Sequence, residues 1–261
     1  MKDKAPVWSA EAGEATHPLV VVVHGAMDRG ASMLKLSRRL DDKYRVLRYD
    51  RRGYGHSAAH PGPFTMGDQV EDLVALLAGR RAVLIGHSYG GNVAMATAAR
   101  HGDLVAGVVM YESPLAWESF WPPSSLKASA VDAPVPTKEQ AANAAEGFMR
   151  RLIGDERWLA LPERTRISRR AEGLALVSEL KDLREHEPWT AADVHVPVVV
   201  GVGSRAGERY LKGMAHVADS VAGATLVCLE GCSHDAPTAA PDQFLRELIE
   251  PLLQRVGAPW R

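Results

Sequence analysis

The sequence predicts an α/β fold: a mostly parallel central sheet with helices on both faces and a helical segment inserted into it. Three observations point there. Short aliphatic runs alternate with amphipathic stretches through the first half of the chain; the same alternation resumes near the C-terminus; and the residues between, 115–194, are rich in helix formers and lack strand-like runs.

In chain order, residues 19–23, 44–49, 82–85 and 104–111 read as buried strands, because unbroken runs of Val, Ile and Leu mark strands covered on both faces. Helical patterns lie between them at 33–40, 66–77 and 92–100. The second set comprises a strand at 196–202, a helix at 208–220, a strand at 224–229 and a terminal helix with Pro241 in its first turn. Within the insertion, Thr137 with Gln140 three residues on forms a capping box for a helix to about Ile153, and Pro162 can start another that ends near His186. The Pro- and Ser-containing stretch 122–136 reads as a loop or hinge. The expected division is a core of residues 1–114 and 195–261 and a helical lid of residues 115–194; residues 1–18 show no clear element. The insertion carries Trp117, Phe120, Trp121, Phe148, Trp158 and Trp189, which can pack it onto the core or offer an apolar surface to a ligand.

With 261 residues, 46% of them hydrophobic, the chain can bury the core of one such domain. Lys plus Arg number 31 against 32 Asp plus Glu, so no overall field would draw it to nucleic acid or an anionic membrane. The pairs Arg150-Arg151 and Arg169-Arg170 read as solvated surface. The longest aliphatic run, 19–23, is far too short to span a bilayer and the first residues lack the apolar stretch of a secretory signal, so a soluble, cytoplasmic protein is the expectation. Cys228 and Cys232 make no disulfide framework, and neither HExxH nor a paired CxxC occurs; chemistry without a metal or cofactor is expected. The oligomeric state is not legible.

The strongest chemical signal is Gly86-His87-Ser88-Tyr89-Gly90-Gly91, a GxSxG directly after the strand-like run 82–85 and directly before a helical pattern. A serine on a sharp strand-to-helix turn needs small neighbours, which Gly86 and Gly90 supply. The turn exposes Ser88 Oγ and sets the N–H of Tyr89 at a helix N-terminus, where it can stabilise an oxyanion. A glycine-rich helix start that binds nothing, or a phosphate, is the bland alternative; strand, turn and helix together favour the nucleophile. A neutral serine hydroxyl still needs a base, and the base a third group to orient it.

With His24-Gly25-Ala26-Met27 after the first buried strand, Asp50-Arg51-Arg52-Gly53-Tyr54-Gly55-His56-Ser57 after the second and Gly231-Cys232-Ser233-His234 after the last, the chain resembles the α/β-hydrolase family over nearly its whole length. The resemblance implies that His234 is the catalytic base, that Ala26 N–H is the second oxyanion donor, that Asp50 to Ser57 form a supporting loop, and that His24 and His87 are accessory or packing residues. The family most often carries its acid after the strand that here ends near Val202, where this chain has Gly203-Ser204-Arg205-Ala206-Gly207-Glu208 and Ala206 stands about at the expected Asp. Other members, haloalkane dehalogenases among them, carry it one strand earlier, where this chain has Glu112. Glu112 is therefore the expected acid and Glu208 the second choice; a strand-end carboxylate paired structurally is the alternative for Glu112.

These residues imply hydrolysis of a small ester-like substrate through an acyl-enzyme. Carboxylesterase, lactonase, carbon-carbon bond hydrolase and cofactor-free perhydrolase all suit one triad, and a non-catalytic ligand-binding receptor of the same fold is the rival class. Serine at position 88 is incompatible with the usual haloalkane dehalogenase or epoxide hydrolase route, which needs Asp there.

Overall fold

In a computed structural model, which describes residues 7–123, 134–257 and 260, the sheet has seven strands. They are β1 (Ser9–Ala12), β2 (Leu19–Val23), β3 (Arg45–Tyr49), β4 (Ala82–His87), β5 (Val105–Tyr111), β6 (Val198–Gly203) and β7 (Thr225–Leu229). Their spatial order is β1-β3-β2-β4-β5-β6-β7; β1 runs antiparallel to β3 and every other pairing is parallel. All parallel strands therefore end on the same side, and loops after β2, β3, β4, β5 and β6 converge there.

The valine runs explain why the sheet is covered on both faces. Along β2, Val21 and Val23 join a cluster with Leu84, Val108, Met110 and Val200, while Val20 and Val22 join the opposite cluster with Val83, Ile85, Val109 and Val199. Alternate side chains point to opposite faces, so a strand buried twice has no polar positions. On the first face lie helices α2 (Met66–Leu77), α3 (Tyr89–Arg100) and α8 (Glu208–Ser220); on the second lie α1 (Leu34–Ser37), the short α9 (Ala236–Ala239) and the C-terminal helices α10 (Pro241–Phe244) and α11 (Glu250–Val256), the last two joined by a π-helical turn at Leu245–Ile249. Strand β7 is an edge, and its outer residues are exposed, unlike the other late strand β6.

Between β5 and β6 the chain forms α4 (Lys138–Ile153), α5 (Asp155–Ala160), α6 (Glu163–Ala171) and α7 (Gly173–Glu185). Helix α4 starts at the capping box, with the Thr137 hydroxyl accepting from Gln140 N–H and the Gln140 side chain accepting from Thr137 N–H. Ala145 and Met149 of α4, Trp158 of α5 and Ala175 and Leu176 of α7 pack with Met27, Tyr54 and Phe64, which follow β2 and β3. The insertion thus sits at the strand ends from which the loops emerge.

Several elements differ from the sequence reading. The helix expected from Pro162 to His186 is two, interrupted at Glu172, whose buried carboxylate meets Arg29, Arg169 and the N–H of Gly55; α7 then packs closely on α4, where a Cβ on Gly173 would meet Ala141 O at 2.1 Å. The helix expected over 33–40 is shorter and entered through a 3₁₀ turn, Gly30–Met33. Helix α5 and strand β1 carry too little periodicity to be read. Most of the loop expected at 122–136, from Ser124 to Ala133, lies outside the described residues. Arg169 is not solvated surface: its guanidinium donates to Met27 O at 2.5 Å and pairs with buried Glu172 at 3.4 Å.

Candidate active site

The GHSYGG segment is a strand-turn-helix hinge. Strand β4 ends at His87, α3 begins at Tyr89, and Ser88 between them has φ 54° and ψ −127°. Such a backbone costs about 1–3 kcal/mol in a residue with a Cβ. It persists because the flanking glycines allow contact: a Cβ on Gly90 would lie 2.2 Å from Val23 O and one on Gly86 2.4 Å from the Cα of Gly91. Among the described residues four non-glycines have positive φ, and three of them are Met27, Ser88 and Glu112. Strain is concentrated at these strand ends.

The turn after β2 lies against Ser88, since a Cβ on Gly25 would stand 2.9 Å from Ser88 Cβ and 3.4 Å from its Oγ. Its carbonyls are held from behind. Arg51 Nε donates to His24 O and its terminal nitrogen to Gly25 O, both at 3.0 Å, and Arg169 donates to Met27 O. In a trans peptide N–H and C=O point in opposite directions, so fixing Gly25 O behind the turn aims Ala26 N–H forward. Neither Ala26 N–H nor Tyr89 N–H donates a hydrogen bond among the described residues.

Arg51 itself is fully buried. It pairs with Glu179 of α7 at 2.7 and 3.3 Å, and its guanidinium lies 5.0 Å from the Tyr54 ring centroid and 4.6 Å from that of Tyr89. Tyr54 donates to the same carboxylate at 2.6 Å. His24 is neutral: Arg51 N–H donates to its Nε2 at 2.9 Å, leaving Nδ1–H to donate to Gly25 O at 2.8 Å, and burial with the Arg51 charge holds its pKa well below the usual histidine range. The rest of the loop after β3 is tied down too: Asp50 accepts from the N–H groups of Gly30 and His56, and Arg52 forms a two-pronged pair with Asp72 at 2.6 Å. These contacts are structural.

At the end of β5, Glu112 is completely buried with φ 42°. One carboxylate oxygen accepts from Gly203 N–H at 2.9 Å and the other from His234 Nδ1–H at 2.8 Å. The bond fixes the tautomer and turns Nε2 of His234 outward, and the 29% exposure of that side chain leaves the ring accessible. Ser88 Oγ and His234 Nε2 are not hydrogen-bonded to each other; such contacts often tighten only when substrate binds. Glu208 is the exposed first residue of α8 and does not reach His234. The contribution of α8 is Tyr210, whose ring stacks on His234 with centroids 5.1 Å apart. Arg51 lies in the loop read from sequence as support, although its partners were not legible; Tyr210 and Glu179 were missed, and of these only Glu179 left a trace, an acid on the apolar stripe Leu176, Glu179, Leu183 of α7.

The sequence profile of the alpha/beta hydrolase family matches residues 20–247, a span that includes every residue just described. The chain belongs to the alpha/beta hydrolase family. Over 95 residues, 35% of this chain and 34% of the other, it is 34% identical to 2-(acetamidomethylene)succinate hydrolase of Mesorhizobium japonicum. Over 110 residues, 39% of this chain and 29% of the other, it is 30% identical to epoxide hydrolase 3 of Xenopus tropicalis. These matches span about a third of the length of the curated relatives. Among solved structures it is similar to the enol-lactonase of Burkholderia xenovorans, with TM-score 0.71 and 26% identity over 92% of this chain and 94% of that one. The relatives are hydrolases by name, and this chain shares the family's fold. Among the described residues no helix is long and apolar enough to cross a membrane, and no group of three His, Cys, Asp or Glu side chains could hold a metal.

Proposed function

We propose that the protein is a serine hydrolase that cleaves a small ester-like substrate through an acyl-enzyme, with Ser88 as nucleophile, His234 as base, Glu112 as the orienting acid and the N–H groups of Ala26 and Tyr89 as oxyanion donors. The observation that carries the reading is the Glu112–His234 bond of 2.8 Å beside the strained Ser88 turn. His234 Nε2 accepts the Ser88 proton as Oγ attacks the acyl carbon, and the developing oxyanion is met by the two backbone donors. His234 then protonates the leaving alcohol and deprotonates the water that releases the acid. Glu112 keeps its charge throughout and stabilises the imidazolium formed at each step.

A carboxylic ester, open or cyclic, is the substrate class this machinery serves. The likeness to an enol-lactonase, at 26% identity, supports a cyclic ester as a second reading on the same residues. Serine at position 88 separates the proposal from the epoxide hydrolase relatives, whose usual route needs a carboxylate nucleophile. Residues 115–194 act as a lid in this reading, since α4, α5 and α7 pack against Met27 and Tyr54 beside the oxyanion turn. Trp158 serves that packing and is itself fully buried.

The test is labelling by a fluorophosphonate, followed by turnover of aryl and alkyl esters and of lactones. Ser88 becomes the labelled residue, and Ser88→Ala abolishes both labelling and turnover without loss of fold, since it removes one hydroxyl. Near-normal turnover by a folded Ser88→Ala protein overturns the mechanism.

A further inference from the structure

The loop that carries His234 is held at three successive carbonyls by the ends of three different strands. Cys232 O accepts from Arg205 N–H, just past β6, at 2.9 Å. Ser233 O accepts from the Tyr111 hydroxyl, the last residue of β5, at 2.9 Å. His234 O accepts from His87 Nε2–H, the last residue of β4, at 2.8 Å. The two side-chain ties come from the immediate chain neighbours of the residues assigned to chemistry: His87 precedes Ser88 and Tyr111 precedes Glu112. Any shift of the base loop relative to β4 or β5 must break a hydrogen bond to the strand end that carries the nucleophile or the acid.

We propose that His87 and Tyr111 are positioning residues for His234, holding its backbone so that the imidazole stays between the Glu112 carboxylate and Ser88. The inference rests on the catalytic reading above and adds to it the means by which three separate strand ends keep one geometry.

The chemistry of each tie fits that role. A carbonyl only accepts, so His87 must carry its proton on Nε2, and that nitrogen is committed to His234 O. Its Nδ1 is shielded from solvent and has no partner among the described residues, so His87 cannot serve as the base. Burial and the neighbouring His234 lower its pKa to about 3, which keeps the ring neutral at 4.7 Å from the His234 ring, where a second cation would oppose formation of the imidazolium. Tyr111 is kept as the phenol, its pKa raised by burial and by the Glu112 charge beside it, so it remains a donor.

The experiment compares His87→Phe, which keeps a ring and loses the donor, with His87→Gln, which restores an N–H at similar reach, and with Tyr111→Phe, which removes one hydroxyl. Two readouts are taken on the full chain: kcat and KM for an ester that the turnover assay has shown to be a substrate, and the downfield proton resonance of His234 Nδ1–H, identified by its loss in His234→Asn. His87→Phe and Tyr111→Phe each lower kcat by about 10-fold with KM nearly unchanged, the rate equivalent of one hydrogen bond, and broaden the Nδ1–H resonance; His87→Gln recovers both. Wild-type kcat and resonance in both Phe variants overturn the inference, as does a His87→Gln protein no better than His87→Phe. If His87→Phe does not fold, Tyr111→Phe alone decides by the same two readouts. If the wild type neither labels nor turns over esters, the catalytic reading fails, and the resonance still decides: its loss in the Phe variants and retention in His87→Gln upholds the tether, and no change removes it.

Discussion

Two neighbouring strand ends, those of β5 and β6, each offer a glutamate on the side of the sheet where the Ser88 turn emerges, and the structure treats them oppositely. Glu112 is buried in a strained backbone with both oxygens bonded, one to Gly203 N–H and one to His234. Glu208 is exposed at the first turn of α8, where an acid is favoured by the helix dipole whatever else it does. What separates them is support. Glu112 is held by the sheet, and the end of β6 serves it by donating the Gly203 N–H and by tying the base loop through Arg205. A strand end whose own acid faces away can still help build the site around its neighbour's.

The sharpest way to break this contrast is a pair of charge-neutral substitutions. Glu112→Gln should lower kcat by roughly 10³–10⁴-fold, the scale seen when an orienting carboxylate is made an amide and the histidine adopts the wrong tautomer. Glu208→Gln should leave kcat within about 2-fold, as exposed substitutions away from a site do. Steady-state turnover of both on one ester measures this, and the reverse ranking would assign the acid to β6.

A second substitution separates burial from chemistry. Glu179 is as buried as Glu112 but faces Arg51 and Tyr54. Glu179→Gln should destabilise the fold by about 3–5 kcal/mol, because it leaves the Arg51 charge buried and unmatched. Denaturant titration reads that loss, and an unfolding midpoint equal to wild type would mean that the pair carries no such weight.

Smaller again is a pH effect at the turn after β2. The native state keeps His24 neutral well below the ordinary histidine pKa of about 6.5, whereas the unfolded chain takes up the proton there. The unfolded state therefore binds more protons at acid pH, and stability falls as pH drops below about 6.5, by up to ~1.4 kcal/mol per pH unit from this one group. Urea unfolding at pH 7 and pH 5 should show a steeper loss in wild type than in His24→Gln, which has nothing to titrate. Equal losses would mean that His24 accepts a proton in the folded protein.

Much of the fold was legible because burial on both faces forces unbroken aliphatic runs, and 19–23 matches β2 residue for residue. Helix α4 was legible from its cap, Thr137 with Gln140. The break between α6 and α7 was not, since no proline marks it; Glu172 turns inward there to meet Arg29, Arg169 and the N–H of Gly55, partners more than a hundred residues away for two of the three. Strand β1 reads only SAEA and exists through its register against β3. In the candidate site, Ser88 was legible from its glycines and Glu112 from its place after a strand run. His87 and Tyr111 could be seen only as neighbours of those residues, because what they tie is a carbonyl, and backbone atoms leave no mark in a sequence.

The Arg51–Glu179 pair has a consequence for recombining parts between family members. Helix α7 arrives from the insertion, Arg51 from the loop after β3, and they meet beneath the turn that follows β2. A chimera that imports a foreign cap without an acid at the position of Glu179 leaves a bare guanidinium in the interior and loosens the peptide of Gly25 that it holds. The cap and the loop after β3 are thus a single heritable module, 128 residues apart in sequence, and a graft that respects the visible boundaries of the insertion cuts that module in two.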